Sequence, residues 1–325
     1  MTAKDNTGTK RPLIILTGPT AVGKTALSIG LAKAIQGEII SADSMQVYRG
    51  MDIGTAKITK EQMDGVPHHL IDIMDPSDSF HVMAFQQKCK EAMEDIYARH
   101  KIPILVGGTG FYIQSVLYDI SFTETDTDIE YRQELQKIAE EQGGYVLHAR
   151  LAKIDPEAAD EIHPNNVKRV IRALEFKHQT GEKISIHNEQ ERQKKSPYQF
   201  RYYVLSLPRE ILYDRINRRV DVMRRDGLVD EVKGLLQQGI TPNMVSMQGL
   251  GYKEIIDALQ GSCSFEEAFE RIKRETRHFA KRQFTWFRRE RDVTWIDKET
   301  YENEDAILQY MIEDLKNAHI LPADQ

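Results

Sequence analysis

An α/β fold, with a parallel sheet flanked by helices, is what this sequence predicts, and three features predict it. Short apolar runs ending in glycine-rich or acidic turns alternate with helical periodicities. The first apolar run opens through a glycine loop directly into a helix. A polar, helix-rich stretch then interrupts this alternation, which resumes after it.

Leu13-Ile14-Ile15-Leu16 reads as a buried parallel strand. Gly18-Pro19-Thr20-Ala21-Val22-Gly23-Lys24-Thr25 follows, and Ala26 to Ile35 has helical periodicity that stops at Gly37. Strand, Gly-x-x-x-x-Gly-Lys-Thr and helix in that order are the context of a phosphate-binding P-loop. The core is therefore expected to be P-loop NTPase-like. The glycines let the backbone fold over an anion with its amides pointing inward. The helix N-terminus adds partial positive charge. Lys24 adds a full one, and the Thr25 hydroxyl is placed to ligate a divalent metal, expected to be Mg2+. Whether the phosphorylated ligand is a nucleotide is left open by these residues.

The 325 residues, 40% hydrophobic and 29% charged, suit one large domain with an excursion or two domains. Cys89 and Cys263 lie far apart, which suggests a reducing compartment and no zinc module. Residues 1–10 read as a loose polar tail without the apolar segment of a secretory signal. No apolar run approaches the ~20 residues of a membrane-spanning helix, so a cytoplasmic protein is expected. The net charge of −6 alone argues against a nucleic-acid binder, but its local distribution matters more.

Glu38-Ile39-Ile40-Ser41 reads as a second strand parallel to the first, so its C-terminal end emerges beside the P-loop. Open α/β sheets bind ligands along that edge. Asp43, Ser44 and Gln46 are therefore expected beside the phosphate site. Residues 50–57 form a glycine-punctuated loop, and His68 to Ile73 reads as a short strand. Adjacent side chains on a strand face opposite ways, which disfavours joint metal ligation by His68 and His69. Residues 79–100 read as a helix starting near a capping serine, with Val82, Phe85, Cys89, Met93 and Ile96 as a core stripe. Ile102 to Val106 is the next strand. The turn after it, Gly107-Gly108-Thr109-Gly110-Phe111-Tyr112, is either suited to close backbone approach at the ligand edge or a tight strand-to-helix turn alone.

Residues 124–199 read as a helical insertion domain, and residues 1–123 and 200–325 as the P-loop-containing core. Within the insertion, Thr127/Asp128, Asp155-Pro156 and Asn165/Asn166 start helices, and residues 182–199 read as loop. The third helix has Val167, Val170, Ile171 and Leu174 on one face with Lys168, Arg169 and Arg172 around it. The core resumes with a strand at residues 201–207 and a helix from Arg209 crowded with arginines. At least one of these is expected to clamp a phosphate, although for any single one a solvated charge is the favoured reading. A glycine loop at residues 246–253 opens another helix. A capping box at Ser264 starts a long helix with Phe265, Phe269, Ile272, Thr276, Phe279 and Gln283 on one face. Between residues 271 and 291 only Glu275 and Glu290 oppose its many arginines and lysines. That pattern is a nucleic-acid footprint, with a solvated charged face as the alternative. Residues from 304 onward form a terminal helix and tail.

Taken together, these motifs resemble the tRNA dimethylallyltransferases, also called tRNA isopentenyltransferases. The resemblance rests on residues 18–25, on Asp43-Ser44-Met45-Gln46 through Lys57, and on Gly107 to Tyr112. It continues in Ile162-His163-Pro164-Asn165 with Arg169 and Arg172, in Gly249-Leu250-Gly251-Tyr252, and in Thr276 to Arg288. It covers nearly the whole chain and is closest to the bacterial form, since eukaryotic members carry a C-terminal zinc-finger extension. It implies transfer of the dimethylallyl group of dimethylallyl diphosphate to N6 of the adenosine 3′-adjacent to the anticodon of tRNA. The P-loop would then hold the donor's diphosphate, together with Arg219. Asp43 matches the general base, and Thr109 and Gln46 match contacts to the target nucleotide. Ser44, Met45, Arg132, Lys168, Arg169, Arg172, Gln248, Gly249, Gly251, Tyr252, Arg274, Arg277, Lys281 and Arg282 are expected at the tRNA anticodon stem-loop. At Gln248 the family often has arginine. A P-loop small-metabolite kinase and a non-enzymatic RNA-binding protein are the competing readings. Oligomeric state is not fixed by the sequence, and a monomer is the default.

Overall fold

The computed structural model describes residues 10–122 and 128–322. Residues 1–9 of the expected tail and Thr127 lie outside the described residues; Asp128, named with Thr127 as a helix start, caps the helix that follows it. The chain divides into two compact units, one formed by residues up to Leu117 together with those from Pro197, the other by Tyr118–Ser196.

The first unit is organised on six strands: β1 (Pro12–Thr17), β2 (Glu38–Ala42), β3 (His68–His69), β4 (Pro103–Gly107), β5 (Gln199–Ser206) and β6 (Val293–Asp297). Their order is β3-β2-β4-β1-β5-β6, and every neighbouring pair is parallel. Ile14 and Leu16 face a core cluster containing Leu31, Leu212, Ile216 and Met311, and Leu13 and Ile15 on the opposite face are buried too. Burial on both faces is why this strand reads as an unbroken apolar run. The expected α/β sheet is present.

The helices of this unit begin with α1 (Lys24–Ile35), α2 (Lys60–Met63), α3 (Val82–Ala98) and α4 (Gly110–Leu117). Helix α1 ends on Gln36 in the left-handed conformation rather than on Gly37. Gly37 is needed for another reason, because a Cβ there would meet the Ile102 carbonyl at 2.9 Å. Helix α3 is capped by the His81 ring, which accepts from the Ala84 amide, and not by a serine. Strand β3 stops after His69 because Leu70 and Asp72 adopt positive φ.

The second unit comprises α5 (Ile129–Gln142), α6 (Gly144–Ile154), α7 (Pro156–Glu161), α8 (Val167–Thr180) and α9 (Ile184–Gln193). Its own core includes Leu135, Leu147, Leu151, Val170 and Leu174. Helix α9 was expected to be loop. It has no buried residue, so no apolar stripe announces it, and it is held by Asp155, which accepts from the Ser185 amide and hydroxyl.

The first unit closes with α10 (Arg209–Arg225), α11 (Leu228–Gln237), α12 (Tyr252–Leu259), α13 (Phe265–Phe287) and α14 (Glu304–Asn317). The Ser264 capping box is formed as expected. Phe265 and Phe279, assigned to the apolar face of α13, are exposed, and Ala268, Ala280 and Phe287 are buried instead. No described helix is long and apolar enough to cross a membrane.

Glu38 begins β2 and is buried, so its charge is compensated on the spot. It accepts from Arg99 at 2.7 Å, from Lys101 at 2.9 Å, and pairs with His69 at 2.8 Å. The adjacent histidines thus go separate ways, since His68 Nδ1 contacts the Val66 carbonyl. Burial would push the Glu38 carboxyl up, but Arg99, His69 and Lys101 outweigh it and hold it at about 2. A carboxyl depressed from 4.5 to about 2 adds stability above pH 4.5 and loses it progressively as the pH falls toward 2. Glu38→Gln should therefore lower unfolding stability at pH 7 by about 2 kcal/mol and flatten the acid limb of stability against pH. Denaturant melts across that pH range read both effects.

Candidate active site

Parallel pairing brings the C-terminal ends of β1, β2, β4, β5 and β6 to one edge of the sheet. The strand order reverses around β1, which is where open α/β sheets leave a ligand crevice. The P-loop leaves β1 there. Its backbone turns at Gly18 and Gly23, with φ of 142° and 96°, and also at Ala21, a non-glycine at 64°. Gly23 caps α1 and has no side chain to take up the first-turn amides of that helix. Thr25 lies exposed in that turn.

Lys24 Nζ donates to the carbonyls of Gly18 and Pro19 at 2.8 and 2.9 Å. Desolvation and the neighbouring Arg219 push its pKa down to about 7, against the opposing pull of Asp43. Burial likewise lowers Arg219, and Asp43 again opposes the shift. Arg219 Nη1 donates to Thr20 Oγ1 at 3.5 Å. Lys24, Arg219 and Asp43 thus share one local field although they come from three separate chain segments. Three other α10 arginines are engaged elsewhere: Arg218 with Asp214, Arg224 with Glu266, and Arg209 over Tyr213.

Asp43 opens the turn after β2. Its Oδ1 accepts from the Met45 amide at 2.8 Å and the Gln46 amide at 3.3 Å. That is the turn-capping role open to any aspartate in this position, and both of these bonds use the same carboxylate oxygen. The Gln46 side chain makes long contacts, to Ser41 and to the carbonyls of Thr55 and Ala56 at 3.4 and 3.5 Å. Thr109 follows β4, and its amide donates to the Ala42 carbonyl, next to Asp43.

The glycines of the Gly107–Gly110 turn answer to protein neighbours. A Cβ on Gly107 would meet the Ala42 carbonyl oxygen, one on Gly108 would meet Gln283, and one on Gly110 would meet Trp286, each at 2.2 Å. Gln283, on α13, is the residue whose place here sequence reasoning missed. Its Oε1 accepts from the Thr20 amide at 2.9 Å, and its Nε2 donates to the Gly108 carbonyl at 3.0 Å. The Thr20 amide is therefore not one of the inward-facing P-loop donors. Lys298, just past the unanticipated β6, is also present, with Nζ 2.7 Å from where a Cβ on Gly23 would stand and paired with Glu304. Arg215, one turn before Arg219, is close by at 3.7 Å from that point.

The residues expected at tRNA divide into engaged and open groups. Arg132 makes a bidentate pair with the buried Glu175, and Tyr252 is buried with its hydroxyl on Glu231. The same Glu231 carboxylate accepts from the amides of Asp52, Ile53 and Gly54. Gly249 gives room for the Met45 methyl, and the Gln248 amide is tied to the Pro242 carbonyl. Arg277 donates to Asn217 and lies over Tyr213, while Arg274 contacts Glu275. Lys281 and Arg282 on α13 are exposed, as are Lys168, Arg169 and Arg172 on α8.

Among the described residues no cluster of His, Cys, Asp and Glu could hold a metal by itself. A lone hydroxyl, Thr25, at a phosphate loop suits Mg2+, which keeps several waters and is held largely by substrate phosphates.

A family model described as IPP transferase matches residues 46–290, and one described as isopentenyl transferase matches residues 12–79. The chain belongs to the IPP transferase family. Among its relatives, the tRNA dimethylallyltransferase of Lachnoclostridium phytofermentans is 58% identical over 96% of this chain and 99% of its own. That of Bacillus pumilus is 53% identical over 89% and 90%. Of solved structures, the full-length tRNA isopentenylpyrophosphate transferase of Bacillus halodurans matches with a TM-score of 0.71 at 47% identity, covering 96% of this chain and 99% of that one. A eukaryotic dimethylallyltransferase acting on tRNA matches at 0.80 and 31% identity, covering 97% and 81%. This membership supports a prenyltransferase over a metabolite kinase or a non-enzymatic RNA-binding protein.

An anion would bind the charged form of Lys24, whose pKa burial and Arg219 push down to about 7. Diphosphate affinity should therefore weaken as the pH rises above 7, approaching about tenfold per unit until the pKa of the bound form is passed. Calorimetric titration of wild type and Lys24→Met over the same pH series isolates this slope from the ligand's own titration, and Lys24→Met should lack it.

Proposed function

We propose that this protein transfers the dimethylallyl group of dimethylallyl diphosphate to N6 of the adenosine 3′-adjacent to the anticodon in tRNA, releasing diphosphate. The observation that carries this reading is the shared field of Lys24, Arg219 and Asp43 at a P-loop. Two cations and one carboxylate are the groups needed to release an anion and accept a proton.

Residues 18–25 and Arg219 hold the diphosphate. As the allylic C–O bond breaks, the electron pair leaves with the diphosphate oxygen. Lys24, Arg219 and the P-loop amides would stabilise the charge that develops there. Bound through Thr25 and the diphosphate, Mg2+ would neutralise part of that charge. The adenosine N6 forms the new bond to carbon and becomes acidic. Asp43 takes its proton through the oxygen not used in the turn. The base must leave its stack to reach this edge, where Thr109, Gln46, Ser44 and Met45 contact it.

Lys281 and Arg282 of α13 hold the phosphates of the anticodon stem-loop, and Lys168, Arg169 and Arg172 of the helical insertion contact the same RNA. All of these groups come from one chain, so a monomer suffices. The cytoplasm is where tRNA and the diphosphate donor would meet.

Mass analysis of tRNA nucleosides after incubation with the protein and dimethylallyl diphosphate should show a prenylated adenosine. ATP turnover without transfer would point to the kinase instead. Asp43→Ala should keep tRNA affinity and lose about 10²–10⁴ in transfer rate; retained rate removes Asp43 as the base. Replacing Lys281 and Arg282 by Ala should weaken tRNA binding and reduce the salt slope by about 0.7 per lost phosphate contact. An unchanged slope in filter-binding titrations would place the RNA elsewhere.

A further inference from the structure

Gln283 is 5% exposed and fixed at both ends of its amide. Its acceptor takes the Thr20 amide of the P-loop at 2.9 Å, and its donor reaches the Gly108 carbonyl at 3.0 Å. Each partner is itself tied into the site. Thr20 Oγ1 receives Arg219, and Gly108 precedes Thr109, whose amide bonds Ala42, the neighbour of Asp43. Gly108 has no room for a side chain because Gln283 occupies the space. One amide thus spans the loop that would hold the donor and the turn that would hold the acceptor.

We infer that Gln283 is a positioning residue that sets the distance between the diphosphate loop and the nucleotide-binding turn, and so aligns the allylic carbon with N6. This rests on the prenyl-transfer reading above. The chemistry requires an amide. One end must accept an N–H and the other must donate to a carbonyl, and the glutamine amide does both without a change of protonation state. A carboxylate would accept from Thr20 but face the Gly108 oxygen with no proton to offer. Leucine would leave both backbone groups without a partner. Alignment errors of about 1 Å cost on the order of 10²-fold in rate while leaving substrates bound.

The test compares wild type with Gln283→Glu and Gln283→Leu. Transfer kinetics are measured with dimethylallyl diphosphate and an anticodon stem-loop, binding with inorganic diphosphate, and folding by thermal melt. The expected result is a fall of tenfold or more in kcat for both variants. KM for each substrate and diphosphate affinity should stay within about threefold, at a temperature where both remain folded. A kcat within twofold of wild type overturns the proposal. So does a kcat loss matched by an equal loss of diphosphate binding, which would make Gln283 a support of the P-loop alone. A wild type that transfers nothing overturns the prenyl-transfer reading and this proposal with it, and is seen before any variant is made.

Discussion

Two cations desolvated beside each other are the constraint around which this site is built. Lys24 and Arg219 oppose one another next to the P-loop, and Asp43 is the carboxylate that relieves them. Such a cluster is unfavourable until an anion arrives, because burial penalises each charge and the like charges repel. It persists because other interactions hold its members in place. Arg219 rides on α10, whose Leu212, Ile216 and Val220 are buried against the core. Lys24 is held by the carbonyls of its own loop, and Asp43 by the turn it caps. An anionic ligand would repay the electrostatic cost at once, and a diphosphate leaving group adds charge as its bond breaks.

The sheet supplies the geometry that makes such a cluster attainable. Parallel pairing sends each strand's exit loop to the same edge, so residues distant in sequence meet without long side chains. Buried hydrogen bonds then tie these exits together. Thr17 Oγ1 donates to the Gly107 carbonyl at 2.6 Å, and Gln283 links the P-loop to the Gly108 turn. The opposite end of the sheet has its own charge cluster around Glu38, where one carboxylate faces several cations and serves stability. The contrast between the two ends is one of balance: the Glu38 charges are satisfied internally, and those at the P-loop are not.

Charge on α13 is less one-sided than its own residues suggest. Arg271 pairs with Asp257 of α12, and Lys273 pairs with Asp221 of α10 as well as Glu270. Arg277 packs against Asn217 and Tyr213. Such pairs compensate cations along one stretch of the helix and leave Lys281, Arg282, Arg288 and Arg289 exposed toward its end. The basic segment available to a polyanion is thus shorter than the sequence implies, and it lies next to Gln283 and Trp286, which contact the Gly108–Gly110 turn.

The sequence by itself determined the phosphate loop, the alternation of strands and helices, and the presence of Asp43 and Thr109 at strand exits. Each depends on neighbours within a few residues: a glycine spacing, an apolar run, an acidic residue directly after a strand. It also carried the family resemblance, because that resides in local motifs. The resemblance had singled out Arg219 among many arginines; tertiary structure set it on Thr20 of the loop and turned Arg218, on another face of α10, to Asp214. It supplied the partners of Arg132 and Tyr252, because Glu175 and Glu231 are distant in sequence. It also revealed α9, which lacks an apolar stripe, and the position of Lys298 after β6. Above all it placed Gln283, whose hydrogen bonds reach across 263 and 175 residues of chain. A sequence pattern reports what a residue does to its own helix or strand, whereas a long-range hydrogen bond exists only once the chain has folded.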